Sequence, residues 1–109
     1  MRVRMLRFVS ILLLSSALQA GPIYGAIFME GRAVRGATVE VLVGNSSQGK
    51  AVTLDDGSYR VNVGTEGRCT LVVTVNDVRA AADVISSGNA ARYNFAIIKG
   101  GGGYELRRQ

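Results

Sequence analysis

Val52-Thr53-Leu54-Asp55-Asp56-Gly57-Ser58-Tyr59-Arg60-Val61-Asn62-Val63 is the stretch on which the reading of the fold turns. Two arms of alternating polarity flank Asp55-Asp56-Gly57. Asp-Gly signals a tight reversal, because glycine enters positive φ without a Cβ clash. The pattern predicts a β-hairpin. In its second arm Tyr59, Val61 and Val63 share one face and Ser58, Arg60 and Asn62 the other, the period-2 signature of a half-buried strand.

Outward from this hairpin the same alternation recurs. Ile23, Gly25, Ile27 and Met29 share a face in the first predicted strand, and Glu30-Gly31-Arg32 reverses the chain. Ala37, Val39, Val41 and Val43 face inward in the second, opposite Thr38 and Glu40, and Gly44 to Gly49 form a polar turn cluster. Beyond the hairpin, Cys69, Leu71, Val73 and Val75 point inward and Asn76-Asp77 turns the chain. Val78 to Ile85 reads as a strand despite the helix propensity of Ala80-Ala81-Ala82. After Ser86 to Asn89, the segment Ala91 to Ile98 carries Tyr93, Phe95 and Ile97 on one face. Short strands with turn signals between them predict an all-β fold, a seven-stranded antiparallel Greek-key β-sandwich.

The ends of the chain differ from its middle. Arg2, Arg4 and Arg7 precede the apolar run Phe8 to Leu14, and small residues lead to Ala20. This is the order of regions in a secretory signal peptide, predicting cleavage after Ala20 and a secreted or periplasmic protein. The apolar run is too short for the roughly 20 residues of a spanning helix, so no membrane span is expected in the mature form. Three of the 13 basic residues and none of the 8 acidic ones lie in residues 1 to 20, so the remainder has a net charge of +2. Its basic residues are scattered rather than aligned, which argues against a nucleic-acid partner. At the other end, Gly100-Gly101-Gly102-Gly103 has the backbone freedom of a tether. The expected organisation is therefore a signal peptide over 1–20, a sandwich over 21–99 and a flexible tail over 100–109. In that tail Tyr104, Leu106, Arg107 and Arg108 are the candidate partner-binding residues, adding as a short strand to an open sheet edge.

Ile23 to Ile27, Gly36 to Val41, Thr53 to Tyr59 and Gly67 to Val73 together resemble the carboxypeptidase regulatory-like domain. The resemblance covers Pro22 to Ile98 and implies a transthyretin-like, or prealbumin-like, sandwich shared with the collagen-adhesin B-type repeats. Two positions depart from the pattern: Ala33 stands where the family often has proline, and Cys69 where it usually has an aromatic residue. The smaller Cys69 predicts that a neighbour such as Tyr93 or Phe95 fills the space.

The chemistry expected of this chain is sparse. It contains no histidine, the commonest general base near neutral pH and the commonest metal ligand. The transthyretin-like hydroxyisourate hydrolases depend on histidines and a carboxy-terminal motif, and the resemblance carries neither to this sequence. Cys69, the single cysteine, lies on an inward face with no base nearby in sequence and reads as a small core residue. Asp55 and Asp56 lack calcium-loop spacing and suit a turn, while Asn45-Ser46-Ser47 fits a glycosylation sequon. The adhesin repeats crosslink a first-strand lysine to a last-strand asparagine. Asn94 is available here, but Lys50 and Lys99 are misplaced.

No catalytic residue, cofactor-binding residue, cofactor or metal ligand is therefore expected, and the chain is not read as an enzyme. The expected function is a non-catalytic module that binds a protein or polysaccharide partner. The alternative is an accessory domain assisting a separate exported enzyme such as a peptidase.

Overall fold

The computed structural model describes residues 20–109. The export signal expected over residues 1–20 lies, apart from Ala20, outside the described residues. Every regular element among them is a strand: β1 (Ile23–Met29), β2 (Arg32–Ala33), β3 (Thr38–Val43), β4 (Ser46–Val52), β5 (Ser58–Val61), β6 (Gly67–Val75), β7 (Val78–Ser86), β8 (Ala91–Arg92), β9 (Phe95–Gly100) and β10 (Gly103–Arg108).

Two sheets pack face to face. In the first, β1 is central: β5 lies along Ile23 to Ala26 on one side, and β2 lies beside Phe28 and Met29. On the other side β8 and β9 continue one line in a single register, with Ile23 opposite Ala91 and Ile27 opposite Phe95, and β10 closes the edge beyond β9. The second sheet runs β4-β3-β6-β7, all antiparallel. The expected wholly antiparallel pattern fails at one seam, because β1 is parallel to both β8 and β9. The chain reaches β8 by crossing from β7 in the opposite sheet, so no tight hairpin dictates its direction.

The stretch that predicted a hairpin is instead a change of sheet. Leu54 N–H donates to Ser58 O at 3.0 Å and Gly57 N–H to Leu54 O at 2.9 Å, so the turn closes locally. Its arms then part, β4 pairing with β3 and β5 with β1. Asp-Gly specifies the reversal; which strand each arm pairs with is set by burial on both sides. Gly57 has φ +81, and Ile27 N–H donates to its carbonyl at 2.9 Å, while a Cβ there would lie 2.6 Å from Ile27 O. Thr53, buried just before the turn, holds the departing chain: Ala37 N–H donates to its hydroxyl at 2.9 Å, and Thr53 N–H donates to Ala37 O at 2.8 Å.

The turn expected over Gly44 to Gly49 is shorter than its composition suggested. Only Gly44 and Asn45 turn the chain, and Ser46 to Val52 form β4. Polar residues suit this strand because it lies at a sheet edge.

Ile23, Ile27, Val39, Val41, Tyr59, Val61, Cys69, Leu71, Val73, Val84, Phe95 and Ile97 fill the space between the sheets. The inward faces predicted for β1, β3, β5, β6 and β9 therefore meet in one core. Val43 is an exception, 38% exposed where β3 gives way to its turn.

The tail is neither flexible nor separate. β9 ends at Gly100, Gly101 and Gly102 turn, and Gly103 to Arg108 pair antiparallel with Phe95 to Gly100. Leu106 is buried in the core cluster with Tyr104 packed against it. Glycine-rich composition marked high backbone freedom, but four glycines serve equally well as a tight β-hairpin corner when an apolar side chain follows to anchor it.

Candidate functional site

The four residues singled out for partner binding are engaged with their own domain. Leu106 is buried and Tyr104 half-buried. Arg107 pairs with Glu105 at 3.3 Å, and the Arg108 guanidinium lies 4.2 Å from the centre of the Tyr93 ring. Arg108 also donates to Arg92 O at 3.0 Å, and Gln109 N–H donates to Asn94 O at 2.9 Å. What this corrects is the expected mobility of the tail: Tyr104, Leu106, Arg107 and Arg108 belong to an edge strand whose inner edge is taken by β9.

What these contacts organise is the seam between β1 and β8–β9. Tyr93 N–H donates to Tyr24 O at 2.8 Å, and the Asn94 side-chain oxygen accepts from Ala26 N–H at 3.0 Å. Between those bonds, a Cβ at Gly25 would collide with the Tyr93 carbonyl, so only glycine admits the approach. That carbonyl accepts the Tyr59 hydroxyl at 2.7 Å. The Tyr93 ring stacks on Phe95 with centroids 5.9 Å apart, and its hydroxyl accepts from Ile85 N–H of the opposite sheet at 2.9 Å. Val84, beside Ile85, is the cross-strand neighbour of Cys69. Tyr93 thus ties the seam to β7 of the opposite sheet, one residue from the partner of Cys69. Asn94, considered as a crosslinking residue, serves here as a backbone acceptor.

Register across this rigid seam places three side chains in a row on the outer face of the first sheet. Tyr24 of β1 is opposite Arg60 of β5 on one side and Arg92 of β8 on the other. All three are exposed, Tyr24 by 36%. The ion pairs among the described residues are Arg35–Asp55 and Arg107–Glu105, so neither Arg60 nor Arg92 is matched to a carboxylate. Arg108, opposite the inward-facing Phe95, is not part of this row; its bond to the Arg92 carbonyl braces β8 from the other face of the sheet. In the opposite sheet Glu40 stands opposite Lys50 in register. Alternation in the sequence marks Arg60 as facing away from the core, but its meeting with Tyr24 and Arg92 depends on pairings between segments far apart in the chain.

The remaining candidates have local roles. Cys69 is buried, its thiol donates to Gly67 O at 3.6 Å, and burial pushes its pKa up, away from the thiolate a nucleophile needs. Asp56 accepts from Ser58 N–H at 3.0 Å, and its hydrogen bonds to Ser58 hold its carboxyl below the usual range. Asp55 forms an exposed pair with Arg35 at 3.0 Å, a contact of small energetic weight. No cluster of three metal-ligating side chains occurs among the described residues.

No protein-family model and no curated protein matches the sequence. Solved structures do match it. The 5-hydroxyisourate hydrolase of Klebsiella pneumoniae superposes with a TM-score of 0.61 at 19% identity, covering 82% of this chain and 98% of that one. The fold is that of a transthyretin-like β-sandwich. The Bacillus anthracis TIE protein matches with a TM-score of 0.57 at 19% identity, over 81% of this chain and 17% of that one. A Bacteroides uniformis protein named for carbohydrate binding matches with a TM-score of 0.50 at 16% identity, over 74% of this chain and 48% of that one. The present chain thus spans under half the length of each of the last two. At such identities the likeness is one of fold, and activity does not follow from it.

Proposed function

We propose that this chain is a non-catalytic binding module acting outside the cytoplasm, and that it engages a polysaccharide or protein partner through the outer face of its first sheet. The observation that carries this reading is the exposed Tyr24 set between two arginines without carboxylate partners on a rigid, hydrogen-bonded seam. Convergent polar groups around an aromatic surface are what a binding site requires, and the paired strands on either side fix the backbone positions from which they project. A catalytic role lacks histidine, and its one thiol is enclosed. The fold shared with a protein named for carbohydrate binding supports a polysaccharide among the partners.

Retention of the folded protein on insoluble polysaccharides and on an envelope preparation tests the proposal. The double variant Tyr24→Ala, Arg92→Gln is expected to lose retention while keeping its melting temperature. Undiminished retention would move the site elsewhere on the sandwich.

A further inference from the structure

Resting on that reading, we infer that the ligand is an anionic polysaccharide, held by Arg60 and Arg92 on either side of Tyr24. Arginine keeps its charge at any physiological pH, and its planar fork pairs with carboxylate or sulfate oxygens. Neighbouring strands lie about 4.8 Å apart, so Arg60 and Arg92, each one strand from Tyr24, bracket it across roughly 10 Å. A sugar ring laid on Tyr24 brings its own acidic group, or that of the next residue along the polymer, towards one of the two arginines. Tyrosine suits the centre of such a row because its ring is apolar on the face and polar at the tip.

The surroundings have the matching charge. The first sheet's outer face carries Arg60, Arg92 and Arg107 against Glu105 alone, and Glu105 is taken by Arg107 at the far edge. Asn62 and Ser58 on β5 and its continuation, and Asn94 beyond β8, surround the row with neutral polar groups. A neutral glucan offers these exposed guanidiniums only hydroxyls, whereas a polyuronate or sulfated glycan offers charged oxygens with which the stronger, charge-assisted hydrogen bonds form. A nucleic acid would meet too few aligned cations for the multiple phosphate contacts that give it affinity.

Isothermal titration at low salt with alginate, with neutral dextran and with single-stranded DNA tests the inference. Alginate is expected to bind, more weakly as salt rises, and to lose about tenfold in affinity with Arg60→Gln and again with Arg92→Gln. Arg68→Gln, on the opposite sheet, is expected to leave binding unchanged. Dextran binding as well as alginate would overturn the anionic ligand but keep the polysaccharide reading of this face. DNA binding as tightly as alginate, alginate binding indifferent to Arg60 and Arg92, or absence of alginate binding would each overturn the inference. Absence of all three together with absence of retention on envelope material would remove the binding-module reading as well.

Discussion

Tyr59 shows how much one side chain decides here. Its ring lies in the core, and its hydroxyl satisfies the Tyr93 carbonyl at the seam. Tyr59→Phe keeps the ring but strands that carbonyl, and is expected to cost about 1 kcal/mol; Tyr59→Ala also empties the core and is expected to cost about 3 to 5 kcal/mol, both read by chemical denaturation. Burial raises the phenol pKa above its ordinary value near 10, with Tyr93 adding to the shift and Arg108 opposing it. A pKa raised on folding means that the unfolded chain ionises first. The contribution of Tyr59 is thus complete below about pH 10 and is lost as pH rises beyond it. The melting midpoint should fall more steeply above pH 10 in the native sequence than in Tyr59→Phe. Cys69, also buried, is expected to resist thiol reagents until denaturant is added, and rapid labelling of the native protein would contradict its enclosure. Gly57→Ala, at φ +81 and against Ile27 O, should destabilise by roughly 1 to 3 kcal/mol.

At the level of elements, β10 is the strand whose role the sequence concealed. Its composition reads as glycine followed by charge, and only the placement of Leu106 in the core turns it into the fourth line of the first sheet. Leu106→Ala should cost about 2 to 3 kcal/mol, and deletion of residues 104 to 109 should lower the melting temperature well beyond that of Leu106→Ala. An unchanged melt after the deletion would mean that β10 does not hold the sheet. The turn at Asp55-Asp56-Gly57 was legible because it depends on residues adjacent in sequence. The separation of its arms was not, because β4 and β5 find their partners in β3 and β1, through contacts that local alternation does not encode.

Over the whole molecule, two four-line sheets are tied by a few side chains that cross between them. The Tyr93 hydroxyl, accepting from Ile85 N–H, is one such tie. Tyr93→Phe should loosen the association of the sheets by about 1 to 2 kcal/mol in a denaturation experiment, while leaving Arg60 and Arg92 in place. The proposed binding face is expected to behave in the opposite way. Arg60→Gln and Arg92→Gln alter exposed, unpaired groups, so stability should change by less than about 0.5 kcal/mol while alginate affinity falls. On the proposed reading, function and stability are separable on this sandwich, the first on the outer surface and the second between the sheets.

Period-2 alternation and the turn residues between strands determined, without any tertiary information, that this chain is all-β and which faces its core would collect. They also determined that Cys69 would be enclosed and that Asp55-Asp56-Gly57 would reverse the chain, because each of these follows from neighbours two or three residues away. The tertiary structure alone decided that β1 would run parallel to β8 and β9, that four glycines would be a hairpin corner, and that Tyr24 would stand between Arg60 and Arg92. Those outcomes depend on which strands pair. Pairing is settled by the simultaneous burial of distant segments, Ile23 with Val61 and Ala91 among them, and no local pattern carries that information.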